Sequence, residues 1–161
     1  MTKIRWGIVG AARVNERLIP AINQSALGEL IAIGSRRRGA AKDCLLKHLP
    51  ESEDKVSCFD GLDQVITHNN VDAIYIPLAN EEHTEIALKA IREKKHVLIE
   101  KPMAIKSEEV KILIEEAAKN NVKIMEGFMY AFHPQFDRIM NTIKSNILGD
   151  ISYAHSMFSF P

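Results

Sequence analysis

Glu100, Lys101 and Pro102 follow directly on an apolar run in the stretch HVLIEKPM. A lysine just past a buried strand stands at a sheet edge, where ligands collect. Partly buried, it would share a proton near neutrality. Left as an ammonium, it would polarise a hydroxyl or carbonyl oxygen. Glu100 is placed to hold it. Pro102 fixes one backbone dihedral, so the lysine side chain starts from a defined direction. The same three residues also suit a solvated, salt-bridged strand end, and position does not separate the two readings.

The elements that must carry these residues alternate. Short apolar runs predict strands over 4–9, 30–35, 56–59, 73–77, 96–100 and 122–125, with a seventh over 151–160. Between them, helical spacing predicts helices over 13–24, 40–48, 62–68, 82–93 and 134–145, and another opened by Ser107 as its cap. Strand and helix at this spacing mean parallel pairing through right-handed crossovers. Strands apolar on both faces belong to a sheet covered on both sides. The fold class is α/β, a doubly wound, mostly parallel sheet.

Composition narrows the function. The 161 residues suffice for one domain with a real core, not comfortably for two. Formal net charge is zero, so bulk electrostatics favour neither nucleic acid nor an anionic membrane. No apolar stretch approaches the roughly 20 residues of a membrane span, and MTKIRWGIVG is not a signal peptide. Cys44 and Cys58 form neither a metal spacing nor a disulfide framework, so no metal site is expected. A reducing cytoplasm is the expected compartment.

Ligands of such sheets sit beyond the carboxyl ends of the strands. The first strand feeds GIVGAARVNE. A dinucleotide loop needs small residues there, so that backbone approaches the pyrophosphate and a helix N-terminus faces it. Gly10, Ala12 and Asn15 fall on the three glycine positions, and only the first is glycine. Ala11 keeps the turn small, and Arg13 brings a cation close. The second strand ends in Ser35, Arg36 and Arg37, with no Asp or Glu for ribose hydroxyls. That favours a 2′-phosphate, hence NADP over NAD, with NAD possible. The fourth strand runs into IPLANEEH, where Asn80 and His83 could touch the nicotinamide ribose or amide. Asn80 equally suits a turn, and His83 a solvated first helical turn. Beyond the sixth strand, Tyr130 or His133 could reach a substrate, or the aromatic residues there could simply pack.

The segments RWGIVGAARV, IPLANEEHTEIALKAI, HVLIEKPMA and EGFMYAFHPQF together resemble the Gfo/Idh/MocA oxidoreductases, nearest the branch of sugar and trans-dihydrodiol dehydrogenases. The resemblance implies hydride transfer between NAD(P) and a carbinol of a sugar, cyclitol or related diol. It implies that Lys101 is the EKP lysine that binds and polarises the reacting oxygen. It places Gly10, Ala12, Ser35 and Arg36 on the cofactor, and Asn80, His83 and Glu100 in loops flanking the nicotinamide.

Members of that family run to roughly twice this length, as two-domain proteins do. The resemblance therefore implies a dinucleotide-binding domain over 1–150. Residues 151–161 would be the first strand of an α+β domain that the chain otherwise lacks. That domain supplies the acid/base in the family, so this chain is expected to bind nucleotide and to be catalytically incomplete. A non-catalytic nucleotide-binding or assembly module is the other reading, self-associating as a homo-oligomer through the exposed last strand.

Overall fold

Apolar residues at consecutive strand positions oblige each strand to be covered on both faces. The computed structural model describes residues 2–159. The strands are β1 Ile4–Val9, β2 Gly28–Gly34, β3 Ser57–Phe59, β4 Ala73–Ile76, β5 His96–Ile99 and β6 Ile124–Glu126. The central strands β1, β2, β4 and β5 are covered in this way, while Met125 on the edge strand β6 is exposed. The helices are α1 Asn15–Gln24, α2 Ala40–His48, α3 Asp63–Ile66, α4 His83–Arg92, α5 Ser107–Asn120 and α6 Pro134–Lys144. The chain divides between Gly127 and Phe128 into two compact units.

The first unit is a six-stranded sheet in the order β3-β2-β1-β4-β5-β6, parallel throughout. Strand order reverses between β1 and β4, so a crevice opens there at the carboxyl ends. Neighbouring residues on each strand enter opposite cores. Ile8, Ile33 and Tyr75 pack with Ile19 and Ile22 of α1 and Leu45 of α2. Val9, Ala32, Ile74 and Ile76 pack on the other face with Val65, Ile86, Ala87, Ile91 and Leu113. Each such Ile or Leu contributes about 1.5–3 kcal/mol of transfer free energy. On α4 the buried set Ile86, Ala87, Ala90 and Ile91 follows the predicted spacing.

Packing is tight where β2 meets the turn after β3. A Cβ added at Gly34 would lie 2.2 Å from the Gly61 carbonyl oxygen. Only a residue without a side chain fits.

Three expectations are corrected. Helix α1 starts at Asn15, because residues 13 and 14 form a turn. Ser107 is the first helical residue of α5 and not its cap; its hydroxyl meets Glu108, while Glu109 accepts the Lys106 backbone N–H at 3.0 Å. No strand forms over 151–159, and residue 160 lies outside the described residues. Ile151, Tyr153 and Met157 are exposed there. Alternation alone makes no strand; a strand needs a neighbour's ladder.

The second unit is built on α6. His133 caps it, Nδ1 accepting the Gln135 N–H at 3.1 Å. Tyr130 meets Phe128 and Phe136 edge-on, with centroids 5.6 Å apart in each pair. Tyr130 and His133, read in the sequence as either substrate-reaching or packing residues, make these local contacts. Among the described residues no helix is long and apolar enough to cross a membrane.

Candidate functional site

The carboxyl ends of β1, β2 and β4 enclose a cleft of about 260 Å³. Gly10, Ala11 and Ala12 form one wall, Ser35, Arg36 and Arg37 a second, and Pro77 to Ala79 with Glu82 a third. Six of the residues singled out in the sequence therefore meet at one place. A larger concavity of about 1020 Å³ lies in the second unit, between α6 and residues 148–154. None of the candidate residues lines it, whereas six of them line the smaller cleft.

Gly10 turns the chain with φ of +128°, a conformation that L side chains rarely adopt. A Cβ there would also stand 2.9 Å from Leu78 Cδ2. The Gly10 N–H bonds the Gly34 carbonyl at 2.8 Å, which ties the loop to β2. Its own carbonyl accepts from Asn15 Nδ2 at 2.8 Å. Asn15 is fully buried, and its Oδ1 has no partner among the described residues. The backbone N–H groups of Ala11, Ala12, Arg13 and Val14 likewise find no protein acceptor among the described residues. Four free donors at the entry to a helix are a receptor for an anion.

The β2 end is equally organised. Ser35 is buried, and its hydroxyl accepts the Arg37 N–H at 3.2 Å. Asp60 takes the Gly39 N–H at 2.8 Å and holds the basic loop to the end of β3. The Arg37 guanidinium donates to the Ala11 carbonyl at 3.2 Å, joining the first two walls of the cleft. Arg36 pairs with Glu82 across the cleft. That carboxylate holds the Arg36 guanidinium above its ordinary range and is itself held low. Arg13 lines an adjoining cleft of about 310 Å³ with Arg37, Lys47 and His48. Small walls, free N–H donors and three arginines fit a dinucleotide that carries an extra phosphate.

The remaining predicted residues lie elsewhere on the same edge. Asn80 is exposed on the turn before α4. His83 is fully buried, against the expectation of a solvated or ligand-facing ring. Nδ1 lies 2.7 Å from the Pro102 carbonyl oxygen and Nε2 3.1 Å from that of Leu78. Neither nitrogen is left for a ligand, and the ring ties the loop after β4 to the segment after β5. Glu100 accepts the Tyr75 hydroxyl at 2.8 Å and the Lys101 backbone N–H at 3.3 Å. Burial, and then this bond to Glu100, push the Tyr75 phenol well above its usual range. Lys101 itself is exposed, so of the two readings open in the sequence the partly buried one is not the one observed. No ion pair holds its ammonium among the described residues; Glu100 fixes its backbone instead.

Residues 4–128 match the family described as "Oxidoreductase family, NAD-binding Rossmann fold". The chain belongs to the Gfo/Idh/MocA oxidoreductases. It is 31% identical over 159 residues to the dTDP-3,4-didehydro-2,6-dideoxy-alpha-D-glucose 3-reductase of Actinomadura kijaniata, covering 98% of this chain and 46% of that protein. It is 26% identical over 160 residues to the trans-1,2-dihydrobenzene-1,2-diol dehydrogenase of Xenopus laevis, covering 98% and 47%. Among solved structures, KijD10, a 3-ketoreductase from Actinomadura kijaniata in complex with NADP, superposes with a TM-score of 0.83 at 30% identity. That match covers 92% of this chain and 46% of the other. The chain thus spans about half the length of the curated relatives it matches.

Three members of this Gfo/Idh/MocA site were not legible in the sequence: Asn15 as the brace of Gly10, Tyr75 as the partner of Glu100, and Glu82 as the partner of Arg36. A polar residue at the third glycine position was the one available sign, for Asn15. The other two pairs join separate elements.

Proposed function

We propose that this chain supplies the nucleotide-binding half of an NADP-preferring oxidoreductase, with NAD as the weaker cofactor. Its substrate is a carbinol, or the matching ketone, of a sugar, cyclitol or related diol. The observation that carries this reading is the cleft at the β1/β4 switch point, with Ser35, Arg36 and Arg37 on the β2 end and no Asp or Glu in the segment 31–41 that forms it. When bound, the cofactor supplies or accepts hydride. The free N–H groups of Ala11 to Val14 would take the pyrophosphate charge, and Ser35 with Arg36 and Arg37 the 2′-phosphate. Lys101 would polarise the reacting oxygen from the end of β5. Tyr75 and His83 are positioning residues that hold the Glu100–Pro102 segment. The group that exchanges the proton is proposed to lie outside residues 1–161. This chain alone would then bind nucleotide and turn over little substrate, since substrate capture and water exclusion need a further wall.

The test is a titration of NADPH and NADH followed by energy transfer from Trp6 on β1. Saturable binding is expected, tighter for NADPH. Arg36→Ala should weaken NADPH about tenfold or more, the worth of a charge-assisted hydrogen bond, and leave NADH nearly unchanged. A folded protein that binds neither nucleotide sinks the reading.

A further inference from the structure

We propose that Glu82 is a competitor for the 2′-phosphate built into the cleft, and so sets how far this protein separates NADP(H) from NAD(H). The inference rests on the functional reading above and adds the residue that tunes it. Arg36 leaves the end of β2, and Glu82 ends the turn Asn80–Glu82 after β4. Both line the cleft that holds Gly10 and Ser35, and their side chains pair across it. The Arg36 side chain is 62% exposed and that of Glu82 only 25%, so the carboxylate is the more enclosed partner.

A guanidinium fork binds carboxylate and phosphate in the same geometry. Arg37 already donates to the Ala11 carbonyl. Arg36 is therefore the cleft's cation whose partner is a side chain of the same charge type as the ligand. A nucleotide bearing a 2′-phosphate must take Arg36 from Glu82, and then sits beside a released carboxylate. Breaking an exposed ion pair costs a factor of about two to five in affinity. Repulsion between carboxylate and phosphate in a solvated cleft adds a factor of similar size. A nucleotide with free ribose hydroxyls meets neither penalty, and a carboxylate accepts such hydroxyls readily.

The experiment uses fragments that isolate this end of the cofactor. 2′,5′-ADP and 5′-AMP are titrated calorimetrically into the wild type, Glu82→Gln, Glu82→Ala and Glu82→Gln in an Arg36→Ala background. Urea midpoints verify that each variant is folded. Both single variants at Glu82 should tighten 2′,5′-ADP about fivefold, with 5′-AMP changed less than about twofold or weakened. The gain should shrink when Arg36 is absent, because no pair remains to be broken. Equal tightening of both probes, no change, or weaker 2′,5′-ADP binding overturns the proposal; weakening would make Glu82 the residue that positions Arg36. A wild type that binds neither fragment nor NADPH refutes the functional reading and takes this inference with it. A wild type that binds 2′,5′-ADP but ignores Glu82 substitutions refutes this inference alone.

Discussion

Asn15→Asp changes one group and almost no volume, and two physical effects then oppose each other. Asn15 is the first residue of α1, where a negative charge gains about 0.3–1 kcal/mol from the helix dipole. It is also fully buried, with Nδ2 donating to the Gly10 carbonyl at 2.8 Å and approaching Cys44 Sγ at 3.4 Å. The substitution replaces that donor by an acceptor facing an acceptor. Losing a buried hydrogen bond to a carbonyl costs about 1–3 kcal/mol, and charge burial adds to it. The loss has a ceiling, because the introduced carboxyl can take a proton and restore an O–H donor. At pH 7 that ceiling is about 4 kcal/mol, from an unfolded carboxyl near 3.9 and 1.36 kcal/mol per unit. Burial should win over the dipole. The folded-state pKa of the new carboxyl is raised, so the variant's deficit is smallest below about pH 4 and grows as pH rises toward its folded value. Urea midpoints for wild type, Asn15→Asp and Asn15→Ala at pH 5 and pH 7 measure this. Asn15→Asp should be the least stable at pH 7 and recover part of the difference at pH 5. Equal stability of Asn15→Asp and the wild type at pH 7 would refute the assignment of Asn15 as the donor that braces the loop.

Two further outcomes follow from the packing and the charges. Gly34→Ala forces a methyl group against the Gly61 carbonyl and Val65 Cγ2, and should lower stability by about 1–3 kcal/mol in urea unfolding; an unchanged midpoint would mean that the turn after β3 yields. Asp72 is held below the usual carboxylate range, first by its hydrogen bond to the Arg5 guanidinium. Its contribution is therefore present above the unfolded value near pH 4 and is lost as pH falls through the depressed folded value. Asp72→Asn should flatten the acid limb of the stability profile there, and an unaltered limb would remove this pair from the account.

Strand–helix alternation, the small residues after β1 and the basic run after β2 could be read directly from the sequence. Each is a local pattern: period 2 or 3.6, a turn that tolerates only small residues, and a charge set by residue type. Even there, a local pattern misled at the chain's end, where residues 151–159 alternate but find no ladder.

What the sequence by itself determined was the doubly wound order of elements and the edge where Gly10, Ser35, Arg36 and Lys101 had to appear. Only the tertiary structure decided which groups face one another there. It put Glu82 on Arg36, Asn15 under Gly10, Tyr75 on Glu100, and His83 between the carbonyls of Leu78 and Pro102. Periodicity states which face a residue takes; it does not state what stands opposite. Opposing partners come from separate elements, and strand order with packing depth sets how close they approach.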